Sequence, residues 1–327
     1  MKIISNNISI VVQGAVTSAT ASILDGLRAV FPGAELILST WEGSDINGLT
    51  FDKVVLSPDP GAQLADEVAN TPNNVNRQIV SSRAGIQAAS RPFILKTRTD
   101  IVIRSAGFLD YWGVYDDNAP SYLFKNRLLI CNYYTRNPGM INLCFHPSDW
   151  LIFGNAEDLR MYFEDIPLQT DETALWFKTH AKSQELFTNL LSRFTPEQYL
   201  FTNFLRRFCP VDINCYYDCT PELARRTEEL FANCFVVLDY QKQLDIYFIK
   251  YRPNRYLEKH TLVSHRQWET IYRHYCYPKT FSPRWMIYCC SKPLYRFLYF
   301  MRKRIVNALD AVGLKETVKA ILRKVKR

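Results

Sequence analysis

The stretch FILKTRTD, residues 93–100, places Lys96, Arg98 and Asp100 at every second position of a segment that otherwise reads as a buried strand. Side chains alternate between the two faces of a strand, so these three charges share one face and Leu95, Thr97 and Thr99 the other. Two cations and a carboxylate gathered on one face can do definite chemistry. A guanidinium grips an anion bidentately, an ammonium acts as a point charge, and a carboxylate binds a divalent cation. The same pattern also fits a half-exposed edge strand with a solvated ion pair, and the neighbouring elements have to separate the two.

Those elements alternate in type through the first hundred residues. ISIVVQG (8–14) is a short apolar run ending at Gly14, and SATASILDGLRAVFP (18–32) sets Ile23, Leu27 and Val30 at helical spacing before Pro32 and Gly33 stop it. AELILSTW (34–41) and KVVLS (53–57) read as strands, NNVNRQIVSSRAGIQAAS (73–90) as a helix, and FILKTRTD as the next strand. Strands alternating with helices imply a parallel sheet with helices on its faces, and such sheets bind ligands beyond the carboxyl ends of their strands. Gly14, Trp41 and Asp100 all fall at such ends. Beyond residue 120 the alternation loosens. INLCFHPSDWLIFG (141–154) is expected to hold one or two strands around a polar break, NAEDLRMYFEDI (155–166) a helix capped by Asn155, and TPEQYLFTNFLRRF (195–208) a helix with Thr195 as cap and Pro196 at its first position.

A chain of 327 residues, 47% hydrophobic and 14% aromatic, can bury a large core in one large domain or two of ordinary size. The first residues lack the apolar run of a secretory signal, and no window approaches the roughly 18 consecutive apolar residues of a membrane span. A soluble or membrane-attached protein is expected. The nine cysteines show no paired Cys-x-x-Cys units, so they read as reduced thiols of a cytoplasmic protein; the cluster CPVDINCYYDC (209–219) is densest, as a metal site or as incidental thiols. Net charge is +8, but residues 281–327 carry twelve Lys/Arg against two Asp/Glu, a balance of +10, and leave 28 basic and 30 acidic residues in positions 1–280, a balance of −2. The division expected is therefore a body, 1–280, and a basic tail, 281–327. The tail reads as two amphipathic segments, 292–312 and 314–327, broken at Gly313, a pattern suited to an anionic membrane surface or to packing on the body itself. No nucleic-acid-binding module accompanies the charge.

The N-terminal half resembles a GT-A glycosyltransferase. SSRAGIQAASRPFILKTRTD (81–100) is similar to the segment in which such enzymes carry an Arg-containing helix, a Gly one turn on, and a strand ending in an acidic Asp-x-Asp motif. ISIVVQG is similar to their opening strand, and STWEGSD (39–45) to their acidic loop near the nucleobase. The set QG, FPGAELILSTWEG, NNVNRQIVSSRAGI, LKTRTD and HPSDWLIFG resembles, more closely, the WavE-type lipopolysaccharide-synthesis family over residues 8–205.

The resemblance implies a mostly parallel, Rossmann-like sheet flanked by helices, a nucleotide-sugar donor and a lipopolysaccharide-core or other glycan acceptor, on the inner face of the cytoplasmic membrane. Arg98 stands where the family of folds usually has the first metal-holding carboxylate. Either Asp100 alone holds Mg²⁺ or Mn²⁺ with phosphate oxygens and waters, or Lys96 and Arg98 neutralise the leaving diphosphate. Gln13 and Gly14 would let the nucleotide approach the first strand, Trp41 and Glu42 would meet the base, Asn76 and Arg77 would lie near a helix N-terminus suited to phosphate, and Arg83 is the arginine that the resemblance favours. Asp149 and Glu197 are the candidates to take the acceptor's proton; the former also suits a turn and the latter a first-turn helix charge. His146, His260 and His265 are open positions, His146 the foremost. A sugar nucleotidyltransferase would share the sheet, but QGAVTSAT has one glycine and no basic residue where its phosphate loop would be. A membrane-surface scaffold that keeps the fold without catalysis is the other alternative.

Overall fold

The near-continuous apolar run ISIVVQ forms β1 (Ile8–Gln13), buried along its whole length, as a central strand covered on both faces must be. The computed structural model describes residues 3–66, 70–115, 123–181, 190–250, 261–277, 282–314 and 317–318. After β1 come α1 (Thr20–Val30), β2 (Glu35–Trp41), β3 (Lys53–Ser57), a small hairpin of β4 (Gln63–Asp66) and β5 (Thr71–Asn73), α2 (Val75–Ala88), β6 (Phe93–Arg98) and β7 (Ile101–Ile103). Then follow β8 (Leu128–Cys131), α3 (Pro138–Ile141), β9 (Ile152–Asn155), α4 (Ala156–Phe163), α5 (Asp171–Ala174), α6 (Pro196–Leu205), α7 (Pro221–Cys234), β10 (Phe235–Leu238) and β11 (Ile246–Phe248). Two further helices, His265–Cys276 and Pro283–Ala311, close the described chain.

Seven strands form one sheet in the order β10-β8-β9-β6-β1-β2-β3. β1 runs parallel to β2 and to β6, with Val11 facing Ile37 on one side and Lys96 on the other, and only β9 runs antiparallel to its neighbours. The expected mostly parallel sheet flanked by helices is therefore present. The expected strands and helices of the first hundred residues are there as well, except that β6 stops at Arg98 and leaves Asp100 just beyond it. The stretch 141–154 holds less strand than expected. Residues 138–141 are helical, Asn142 and Phe145 take left-handed backbone (φ 53° each), and strand begins only at Ile152. HPSDW is thus an irregular, fully buried segment laid across the carboxyl ends of the sheet.

The basic tail is continuous with the body through its first turns. Trp285 stacks on His274 with ring centroids 3.7 Å apart, and the Tyr288 hydroxyl, buried in the core, donates to Glu228 (2.7 Å) and accepts from Asn137 (2.9 Å). Lys292 pairs with the same Glu228 at 2.5 Å. The helix begins nine residues before the expected segment at 292 and runs through Pro293. Of the second expected segment, 314–327, only residues 314, 317 and 318 are described.

Candidate active site

At the carboxyl ends of β1, β2 and β6 lies a cleft of about 650 Å³, where a mostly parallel sheet places ligands. Its floor is the end of β1. Gly14 has φ +124°, its N–H donates to the Ser39 carbonyl (3.0 Å), and a Cβ there would meet Thr99 Oγ1 at 3.0 Å. Only glycine gives this backbone so close an approach to whatever fills the cleft. Gln13 is buried beside it and accepts from Ser81 Oγ at 2.6 Å, which ties the strand to α2. Trp41, at the end of β2, lines one wall.

Arg98 and Asp100 form a bidentate pair, Nε to Oδ1 and Nη2 to Oδ2 both at 2.9 Å. The guanidinium lies over the Trp150 ring at 4.3 Å, Trp150 stacks on Tyr134, and Arg136 lies 4.9 Å from the Tyr134 ring. These cation–π and stacking contacts, with the Asp100 pair, fix the orientation of Arg98. Tyr134 holds its place in it with left-handed backbone, φ 70°, a conformation retained only where the surroundings enforce it. The Asp100 carbonyl accepts from Ile249, which brings Lys250 to the rim, and Arg98 and Lys250 together hold the Asp100 carboxyl below its ordinary pKa against the upward effect of burial. Arg77 reaches the opposite wall in a bidentate pair with Asp59 (2.7 and 2.6 Å).

Glu197 opens α6 and faces the cleft, yet is only 5% exposed. It accepts from Trp150 Nε1 at 3.3 Å and stands 3.6 Å from His146 Nε2. Burial, then the nearby Asp149 charge, push its carboxyl up to about 7. His146 is pushed down to about 3 by burial and by Arg136, so its ring is neutral. Its Nδ1 lies 2.8 Å from the Tyr134 carbonyl, which can only accept. The ring proton therefore sits on Nδ1, and Nε2 turns a lone pair toward Glu197.

Five of the expected residues do not line the cleft, the exposed Glu42 among them. Lys96 and Asp149 are 0% and 1% exposed and form an ion pair at 2.9 Å beneath it, where Gln78 also donates to Asp149. Lys96 does not share a ligand-facing surface with Arg98, because Asp149 of the HPSDW segment and the Phe163 ring of α4, 5.8 Å from the ammonium, bury it. Asn76 exchanges hydrogen bonds with the Gln169 backbone (2.6 and 3.0 Å). Arg83 donates to the carbonyls of Phe163 and Ile166 and so satisfies the orphan acceptors at the end of α4. Gln13, Gly14, Trp41, Arg77, Arg98, Asp100 and Glu197 do come together. Asp59, Gln78, Tyr134, Trp150 and Lys250 join them without having been singled out in the sequence. Trp150 had a signal, its place beside Asp149 in the polar break; Lys250 had none, since the pairing of β11 with β7 brings it there from 150 positions away. Of the other histidines, His265 donates from Nδ1 to the Val237 carbonyl (2.7 Å), and His260 lies outside the described residues.

Both Asp100 carboxylate oxygens accept from Arg98, so a divalent cation there would compete with the guanidinium for the same carboxylate. Among the described residues no three or more His, Cys, Asp or Glu side chains group to hold a metal, the 209–219 cluster included.

Fold and cleft together define an α/β protein with a mostly parallel sheet and, at its strand ends, a cleft lined by Arg77, Arg98 and Lys250. The chain belongs to the WavE lipopolysaccharide synthesis family, which matches residues 8–303, about a hundred residues further than the sequence blocks reached. No curated protein matches it. Among solved structures, an active-site mutant of LgtC is similar at 14% identity over 77% of this chain and 99% of that one, with a TM-score of 0.32, too distant to bear on function.

Proposed function

We propose that the chain transfers a sugar from a nucleotide-sugar donor to a lipopolysaccharide-core or other surface-glycan acceptor. The observation that carries this reading is the Arg98–Asp100 pair at the mouth of the strand ends, with Lys250 and Arg77 on the walls and Glu197, a carboxyl pushed up to about 7, facing them. Breaking the donor's sugar–phosphate bond builds negative charge on the departing diphosphate. Arg98, preset by Trp150 and Asp100, meets that charge bidentately, and Lys250 adds an ammonium at the rim. Trp41 offers the nucleobase an apolar face. Glu197 accepts the proton of the attacking hydroxyl. Lys96, Asp149 and Gln78 act from beneath, holding the HPSDW segment and hence Trp150 in place. The C-terminal helix docks the protein on an anionic membrane surface, near a lipid-linked acceptor.

Asp100→Ala should abolish transfer with Arg98 left mispositioned. The direct test is a thermal-shift screen against UDP, GDP, CDP and CMP, each with and without Mn²⁺, because a ligand that binds the folded state raises the melting temperature by mass action. One nucleotide should raise it, with little dependence on Mn²⁺, and Arg98→Ala should erase the shift. Folded protein that responds to none of the four at millimolar concentration would overturn the donor reading.

A further inference from the structure

Cys144 and Cys219 are 75 positions apart, yet the Cys144 thiol donates to the Cys219 sulfur across 3.0 Å. That separation exceeds the disulfide bond of roughly 2.05 Å by only about 1 Å. All nine cysteines are thiols in this structure, and the neighbours of this pair are engaged elsewhere. Cys209 accepts from Arg226 at 2.9 Å, and the Cys215 thiol donates to Asp218 at 3.4 Å. The two members of the pair differ in setting. Cys144 is fully buried, whereas Cys219 is half-buried at the N-terminal approach to α7. The hydrogen bond from Cys144, and after it the Arg296 guanidinium of the C-terminal helix, hold the Cys219 thiol below its ordinary pKa; the same bond and burial push Cys144 up.

We propose that Cys144 and Cys219 are a redox modification site, a thiol pair that closes reversibly to a disulfide on reaction with a small-molecule disulfide. The Cys219 thiolate attacks one sulfur of the oxidant, forming a mixed disulfide and releasing one thiolate. Cys144 then gives up its proton, attacks Cys219 Sγ and expels the second thiolate. The protein loses two electrons and two protons, and one disulfide becomes two thiols. The half-buried, more acidic sulfur is thus the attacking one and the fully buried sulfur resolves.

The bond would join two segments that already touch. Phe145 N–H donates to Thr227 of α7 at 3.1 Å, and the Cys144 carbonyl accepts from Gln198 Nε2 at 2.8 Å. Gln198 also holds the Tyr216 carbonyl at 3.0 Å and directly follows Glu197. Closure would therefore cross-link the chain on either side of the helix that presents Glu197. The inference rests on the thiols alone and stands whether or not the chain is a transferase.

The full-length chain is incubated with oxidised glutathione, alkylated, digested without reduction and mapped by mass spectrometry. The expected product is a linked peptide pair containing Cys144 and Cys219, lost on treatment with dithiothreitol and missing from Cys219→Ser. The oxidised protein should also melt about 5 °C higher than the reduced one, since the bond closes a long loop in the unfolded chain. The wild-type map decides without any variant. Glutathione left on Cys219 with no internal bond, or Cys219 joined to Cys215 or Cys209, would overturn the pairing.

Discussion

Glu197 shows how one residue type carries two meanings that sequence cannot separate. As the second residue of α6 it suits the helix dipole, and any solvated Glu would do so. Here it is buried against Trp150 and a neutral His146, with Asp149 close enough to oppose its ionisation. The sign of its effect on stability follows. Its folded pKa, about 7, lies above the ordinary 4.5, so between these values the folded state keeps a proton that the unfolded state releases. Stability contributed by the protonated form is present below about pH 4.5, falls as pH rises toward 7, and is flat above. Activity should run the other way, because a proton acceptor must be ionised. The rate should climb about tenfold per pH unit below 7 and level off above it. Glu197→Gln should lower kcat by 10²-fold or more, in the range of general-base losses, and remove that limb from the profile. A Gln variant that kept the same pH dependence would assign the ionisation to another group.

At the scale of elements, α2 lies closest to the sheet at Gly85. A Cβ on Gly85 would come within 2.4 Å of Val11 Cγ1 and 2.9 Å of Ser39 Cβ, so both β1 and β2 block it. Gly85→Ala gains about 1 kcal/mol of helix propensity but must push the helix off two central strands, at a cost of about 1–3 kcal/mol and more if backbone moves. The net should be destabilising, seen as a lower urea midpoint with an unchanged slope; a raised midpoint would show that α2 rides higher than this. The same elements explain what was readable beforehand. Short apolar runs and period-3.6 patterns in residues 8–98 are long enough to announce β1, β2, β6, α1 and α2, and strand ends then point to Gly14, Trp41, Arg98 and Asp100. Alternation along β6 could not foretell that HPSDW would roof over Lys96, nor that Asp149 would become its buried partner. Arg83 was indistinguishable from a ligand-binding arginine because capping α4 is a contact 80 positions away. After residue 120 the strands shrink to three or four residues among fully buried irregular segments, too short for any period to register.

For the whole molecule, the C-terminal helix presents an arrangement that the body does not need. Its first turns are pinned by Trp285, Tyr288 and Lys292, while Ile287, Leu294, Leu298, Met301 and Ile305 recur at spacings of three, four and seven and form one exposed stripe, Ile287 and Leu294 at 69% and 57% exposure. From Ile287 to Ile305 the stripe is about 27 Å long at 1.5 Å per residue. Arg284 and Arg302 flank one side and Arg304 the other, all exposed. No helix among the described residues is long and apolar enough to cross a membrane, so the stripe suits a helix lying in the interface plane. Each basic residue near an anionic leaflet contributes about 1 kcal/mol, and the inserted aliphatic side chains add the rest. The full chain should therefore pellet with vesicles containing phosphatidylglycerol, less so with phosphatidylcholine alone or in high salt. Leu294→Asp, Leu298→Asp and Ile305→Asp combined should leave it in the supernatant without lowering its melting temperature, since none of the three touches the core. Wild-type behaviour from this triple variant would remove the stripe from membrane binding, and a wild-type chain that ignored anionic vesicles but sedimented as a dimer would show that the stripe is covered by a second copy.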